Sequence, residues 1–140
     1  ISEISDVFSF EKVNIRPGKP TFAGHIRNIP LIGLPGNPVS SYVCAQLFVV
    51  PLIMKIIQCK IDYPIISSGK LNSELAANGS RKHFMRANVI TNGEGRIVSP
   101  KDKQDSSLVK TLQESNCLII RPPNDTKRNV GDLVDIIELF

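Results

Sequence analysis

Disulfide staples, base-stacking aromatics, nucleotide loops and repeats are all scarce or missing in this chain. It has 140 residues and only three cysteines, Cys44, Cys59 and Cys117, an odd number with no CxxC pair. A disulfide scaffold is excluded, and the three thiols read as small buried hydrophobes in a reducing compartment, which points to the cytoplasm. Aromatic residues make up 6% of the chain. The basic stretches lack interleaved aromatics that would stack on bases, since Phe8, Phe10, Phe22, Phe48 and Phe84 read as core; nucleic acid is therefore disfavoured as a partner. Neither a Walker A loop nor a GxGxxG fingerprint is present, so an ordinary nucleotide motif is not satisfied. No internal repeat is found. The chain opens on Ile1 without a Lys/Arg-led leader, and it reads as a piece of something longer.

Charge is absent from residues 29–54. That length would suffice for a membrane span, but Pro30, Gly33, Pro35, Gly36, Asn37 and Pro38 break any helix across it. About 17 residues, 38–54, are left as one helical run. A buried helix behind a loop is the better reading, and a membrane partner is not expected.

What is present suits a packed protein. Hydrophobic residues are 41% of the chain and charged residues 21%, which excludes disorder and allows one domain or two small ones. The net charge of +4 is uneven, +3 over residues 1–60 and +1 over 61–140. Residues 81–110 hold Arg81, Lys82, Arg86, Arg96, Lys101, Lys103 and Lys110 against Glu94, Asp102 and Asp105. Such a cluster is either a solvated face or a pocket for a small multiply charged anion.

Periodicity predicts a strand over 7–16, two more over 21–26 and 30–34, and a helix from Pro38 to about residue 57. Asn37 suits the cap of that helix and Pro38 its first position. Its residues are apolar on nearly every face, which predicts burial against a sheet and a partner, with Pro51 marking a kink or a register change. Around residues 59–68 charge resumes and the pattern changes, so domains are expected at 1–60 and 61–140. The second part reads as short strands over 69–77, 83–90, 95–98, 117–121 and 133–139, with a short helix over 107–114, suggesting a small barrel.

Two segments carry chemistry. Arg16-Pro17-Gly18-Lys19-Pro20 places two cations around a Pro-Gly turn, an arrangement suited to an oxyanion; a plain surface turn is the competing account. Gly33-Leu34-Pro35-Gly36-Asn37-Pro38-Val39-Ser40 runs a strand through a loop into a helix start, where unpaired N–H groups and the Ser40 hydroxyl suit phosphate; alone, it is equally a well-capped turn. His25 and His83 stand apart with no ligand partners at metal spacing, Cys44 lies on the apolar helix, and Ser40-Ser41 has no triad partners.

Together, RPGKP, then about a dozen residues, then GLPGNPVS with an apolar helix resembles the molybdopterin molybdenumtransferase family (bacterial MoeA and the E domains of gephyrin and plant Cnx). The likeness continues to Val130-Gly131-Asp132-Leu133-Val134. It implies an α/β fold: the C-terminal part of a three-layer molybdopterin-binding (MogA-like) domain over 1–60, then a small β-barrel-like domain over 61–140. It implies molybdenum cofactor biosynthesis, with molybdate inserted into adenylylated molybdopterin, Mg²⁺ as cofactor, release of AMP and a homodimeric parent. A fragment of this extent is expected to be inactive alone. On the family's pattern, Arg16, Lys19, Pro20, Arg86 and Ser106 face molybdate, while Gly36, Asn37 and Ser40 face the pterin phosphate or nucleotide. Asp105 stands where the family has glycine, and a carboxylate there repels an anion unless it points away. No carboxylate constellation for Mg²⁺ is recognised, Asp6 and Glu11 being isolated. The alternative is a non-catalytic oxyanion-binding or gephyrin-like scaffold and dimerisation module; a basic nucleic-acid-binding barrel is a third reading.

Overall fold

A computed structural model describes residues 8–93, 95–102, 104 and 109–139. Its centre is a small closed barrel. Strands β5 (Ile66–Leu71), β6 (Lys82–Asn92), β7 (Gly95–Pro100), β8 (Cys117–Arg121) and β9 (Leu133–Glu138) hydrogen-bond in the order β6-β7-β5-β9-β8. A further β6–β8 pairing closes the ring. Closure works because β6 is long: residues 83–87 pair with β8, and 87–92 pair with β7 through the hairpin at Asn92-Gly93. A short strand β2 (Ile15–Arg16) adds in parallel to β6, with Ile15 opposite Lys82 and Arg16 opposite His83.

Alternation along the strands sorts side chains into two cores. Ala87, Val89, Cys117, Ile119, Val134 and Ile136 point into the barrel with Leu71, Leu75 and Val98. Phe84, Leu118 and Ile137 point outward and pack with Ile15, Val43 and Cys44. Strand β8 is thus buried on both faces, which explains its continuous apolar run. Gly69 stands where an added Cβ would lie 2.5 Å from Val98 Cγ2, so the close approach of β5 to β7 needs glycine.

The outer core is roofed by the helix. Helix α1 (Pro38–Cys44) passes through a π-helical turn (Ala45–Val49) into α2 (Val50–Ile56). Asn37 caps it by accepting from the Ser40 N–H at 3.1 Å. The expected register change at Pro51 is the π turn: proline lacks an N–H and crowds the preceding carbonyls, and the Val50 N–H reaches back to the Ala45 carbonyl. One extra residue in a turn rotates the following face by about 100°. Burial accordingly differs from expectation. Val39, Val43 and Cys44 are fully buried, but Ile53, Ile56 and Ile57 are 48%, 62% and 63% exposed. By length and apolar composition alone the continuous 19-residue run would reach across a membrane; its first half is instead spent on the barrel.

Strands β1 (Phe8–Phe10), β3 (Phe22–Ile26) and β4 (Ile29–Gly33) form a separate three-stranded sheet in the order β1-β3-β4. The single strand expected over 7–16 is therefore two strands in two sheets. The strand expected over 69–77 lies earlier, at Ile66–Leu71, and a short helix α3 (Val109–Gln113) precedes β8.

Candidate functional site

The Arg16-Pro17-Gly18-Lys19-Pro20 turn is clamped between barrel and helix. The Lys82 N–H donates to the Asn14 carbonyl at 3.1 Å, and the Val13 N–H closes the loop onto the Lys19 carbonyl at 3.1 Å. Thr21, fully buried, donates from Oγ1 to the Gly18 carbonyl at 2.7 Å and stands 3.0 Å from Cys44 Sγ. Gly18 adopts φ +115°, and a Cβ there would lie 2.3 Å from Cys44 Sγ. The turn thus seats on the helix through a glycine that no other residue replaces without movement. Burial pushes the Cys44 thiol above its usual range, partly offset by the Thr21 contact.

An open cleft of about 460 Å³ follows from that seat. It is lined by Arg16, Pro17, Gly18, Lys19, Pro20, Ser40, Arg81 and Gln104. Three of these are cations, and none of the described lining residues is acidic. The Ser40 hydroxyl adds a donor from the helix start. Its N–H is already taken by Asn37 Oδ1, and the hydroxyl lies 3.4 Å from the same oxygen, long enough to turn toward a ligand.

The structure therefore gathers four expected residues, Arg16, Lys19, Pro20 and Ser40. Asn37 acts through its cap and Gly36 is exposed beside it; neither lines the cleft. Arg86 is buried on the outer face of β6, 3% exposed, behind Gln104. There the Gln104 amide binds the strand on both sides, accepting from the Arg86 N–H and donating to its carbonyl, each at 2.9 Å. Ser106 and Asp105 lie outside the described residues. Gln104 carries no sequence signal as a site residue, whereas Arg81 belongs to the basic cluster over 81–110 and stands on the segment leading into a strand that begins beside Arg16.

Beneath Arg16 lies the end of the barrel. His83 and Arg121, opposite one another on β6 and β8, both continue the inward-facing rows. Arg121 is 2% exposed and Asp125 7%; Nε donates to Asp125 Oδ2 at 2.6 Å, and a terminal nitrogen donates to the carbonyls of Ala76 and Thr126, each at 3.0 Å. Arg128 also binds Asp125, at 2.7 Å. Hydrogen bonds from Arg128, then from Arg121, hold the Asp125 carboxyl below its ordinary value against its burial. His83 is pushed down to about 4, first by burial and then by Arg16, Arg121, Arg86 and Arg81. No three His, Cys, Asp or Glu side chains among the described residues group as a metal site. The Mg²⁺ that the resemblance implies finds no fit among them.

Residues 68–139 match the family model of the MoeA C-terminal region (domain IV). The chain belongs to this family. Molybdopterin molybdenumtransferase of Bacillus subtilis is 30% identical over 129 residues, covering 91% of this chain and 30% of that protein. The molybdenum cofactor synthesis protein cinnamon of Drosophila melanogaster is 35% identical over 129 residues, covering 89% of this chain and 21% of that protein. The chain thus spans under a third of the length of these MoeA relatives. Among solved structures, the molybdopterin biosynthesis MoeA protein from Pyrococcus horikosii superposes with a TM-score of 0.77 over 98% of this chain and 34% of its own, at 24% identity. At that identity the likeness shows the shared fold: a small mixed-sheet, barrel-like MoeA unit.

Proposed function

We propose that the cleft is the oxyanion-binding face of a molybdenum-inserting enzyme of cofactor biosynthesis, of which this chain is the C-terminal portion. One observation carries the reading: Arg16, Lys19 and Arg81 meet the Ser40 hydroxyl around one cleft in a chain of the MoeA family. Molybdate is a tetrahedral dianion, and three fixed cations gather it by charge while hydroxyl and amide donors orient it. In this reading residues 1–60 are the end of the MogA-like α/β domain and 61–140 the barrel domain. Adenylylated molybdopterin is the second substrate, with its phosphate against residues 36–40, and proximity delivers the oxyanion to it. The parent is a cytoplasmic homodimer that acts on no nucleic acid.

The test is molybdate or tungstate binding by Lys19→Ala beside the unaltered chain, with urea unfolding as the control for fold. A charge-assisted contact contributes about 1.5–3 kcal/mol, so affinity should fall by at least about tenfold. Stability should change by no more than about 0.5 kcal/mol, because Lys19 is exposed. Undiminished binding would remove Lys19 from the site and with it the reading.

A further inference from the structure

The cleft does not account for His83. The residue is 7% exposed. It lines a second, smaller cavity of about 170 Å³ with Arg16, Arg121, Asn78, Gly79, Ala76, Ala77, Leu75 and Met85. Since His83, Met85, Leu75 and Arg121 belong to the barrel's interior end, this cavity is the barrel's mouth. Barrel mouths are common ligand sites.

The mouth is rigid. The Asn78 amide donates to the carbonyls of Arg81 at 2.9 Å and Pro122 at 2.6 Å, and the Asn124 N–H donates to the Gly79 carbonyl at 2.8 Å. Arg121 is fixed by Asp125 and the carbonyls of Ala76 and Thr126, so it forms a wall. Arg16 lines both this cavity and the cleft.

We propose that the barrel mouth is a second anion subsite, with His83 and Arg16 as its contacts, sized for one phosphoryl group of a phosphate monoester. It rests on the cleft reading only through Arg16. The size argues for a phosphoryl group: the volume equals that of roughly six liquid waters, enough for a phosphoryl group and little more. Charge argues the same way. Arg16 from β2 and Arg121 from β8 line the mouth with His83, and Arg81 from the segment before β6 and Arg86 from the outer face of β6 add to the same positive field. Beside the mouth, among the described residues, the Asp125 carboxylate is occupied by Arg121 and Arg128. The 76–79 segment brings no charged side chain. An anion in the mouth relieves that one-signed field and accepts from the ring N–H, so binding and protonation of His83 are linked.

Ring-proton NMR of the chain tests this directly, because His25 and His83 are its only histidines and His25→Asn assigns them. Inorganic phosphate and AMP are titrated in separate arms at constant ionic strength, with chloride as the control. Either is expected to shift the His83 ring signal and raise its titration midpoint by about one unit, equivalent to about tenfold tighter binding to the protonated ring. A response to AMP, with or without one to phosphate, supports the phosphoryl subsite, and a response to phosphate alone overturns its assignment to a monoester. A His83 signal unmoved by either, or moved equally by chloride, overturns it. The same titration on Lys19→Ala separates the two readings. The His83 response should persist there while molybdate affinity falls. Loss of both together means a single merged site and overturns the separate subsite; retention of both overturns the cleft reading alone.

Discussion

Gly18→Ala is the sharpest test of how the oxyanion turn is held. Its new Cβ would lie 2.3 Å from Cys44 Sγ and 3.0 Å from Ile15 Cδ1, at φ +115°. The second contact is with a side-chain tip and can yield. The first is with a fully buried thiol on α1, and relief requires the turn and helix to separate. Forcing an alanine into that backbone region costs about 1–3 kcal/mol, and overpacking adds about 1–3 kcal/mol. A loss of about 2–6 kcal/mol in urea unfolding is expected, read as a shift of the midpoint at constant slope. Cys44→Ala separates the two terms. Alone it opens a small void at about 1 kcal/mol, but combined with Gly18→Ala it removes the sulfur that the new methyl meets. The double variant should therefore be more stable than additivity predicts, by about 1–3 kcal/mol. Additivity within about 0.5 kcal/mol, or a Gly18→Ala loss no larger than that of a surface change, would refute the clamp.

Stability should fall with acid in two stages. His83 is held near 4 against 6.5 unfolded, so its neutral form contributes stability that is complete above pH 6.5 and lost as pH falls toward 4. The amount is on the order of 3 kcal/mol, and His83→Gln should flatten that stage; a native stability constant from pH 7 to 4.5 would contradict it. Asp125, depressed below 3.8, contributes above that value, and its contribution is lost on further acidification through its folded value. Asp125→Ala strands the buried Arg121 guanidinium and should cost about 3–5 kcal/mol, with Asp125→Asn, which keeps an acceptor, costing less; equal, small losses for both would show the pair to be dispensable. Thiol labelling of the native chain should modify Cys59 first, because Cys44 and Cys117 are fully buried and burial pushes Cys117 up to about 12; prompt labelling of all three, measured by mass, would contradict the packing.

The parts legible in sequence are those decided by local chemistry. The continuous apolar run of β8 appears where periodicity predicts it, and the helix begins at Pro38 because Asn37 caps it. Elements that depend on distant partners were not legible. Residues 7–16 alternate like one strand, yet Ile15 and Arg16 leave to pair with Lys82 and His83, and only the closed barrel supplies that edge. The helix looked buried throughout because composition records apolarity and not phase; the π turn carries Ile53, Ile56 and Ile57 away from the barrel. At the site, the turn and Ser40 were readable because motif and helix start lie on short segments. Arg81 was readable only as one cation of a basic cluster, because its place at the cleft comes from the β2–β6 pairing.

Basic residues near an anion site are not equivalent, and burial sorts them. Arg121 and Arg86 are 2% and 3% exposed. A buried guanidinium needs fixed partners, and Arg121 spends Nε and one terminal nitrogen on Asp125 and two carbonyls. Such a residue shapes a wall and sets the local field, with three of its five N–H donors committed before any ligand arrives. Arg16, Lys19 and Arg81 are exposed and line open space. Their donors exchange water for ligand at small cost, which is what reversible capture of a hydrated dianion requires. The two sets meet at Arg16, whose backbone pairs with His83 in the sheet while its side chain borders both cavities. The sheet that closes the barrel thus fixes where the cleft ends and the mouth begins.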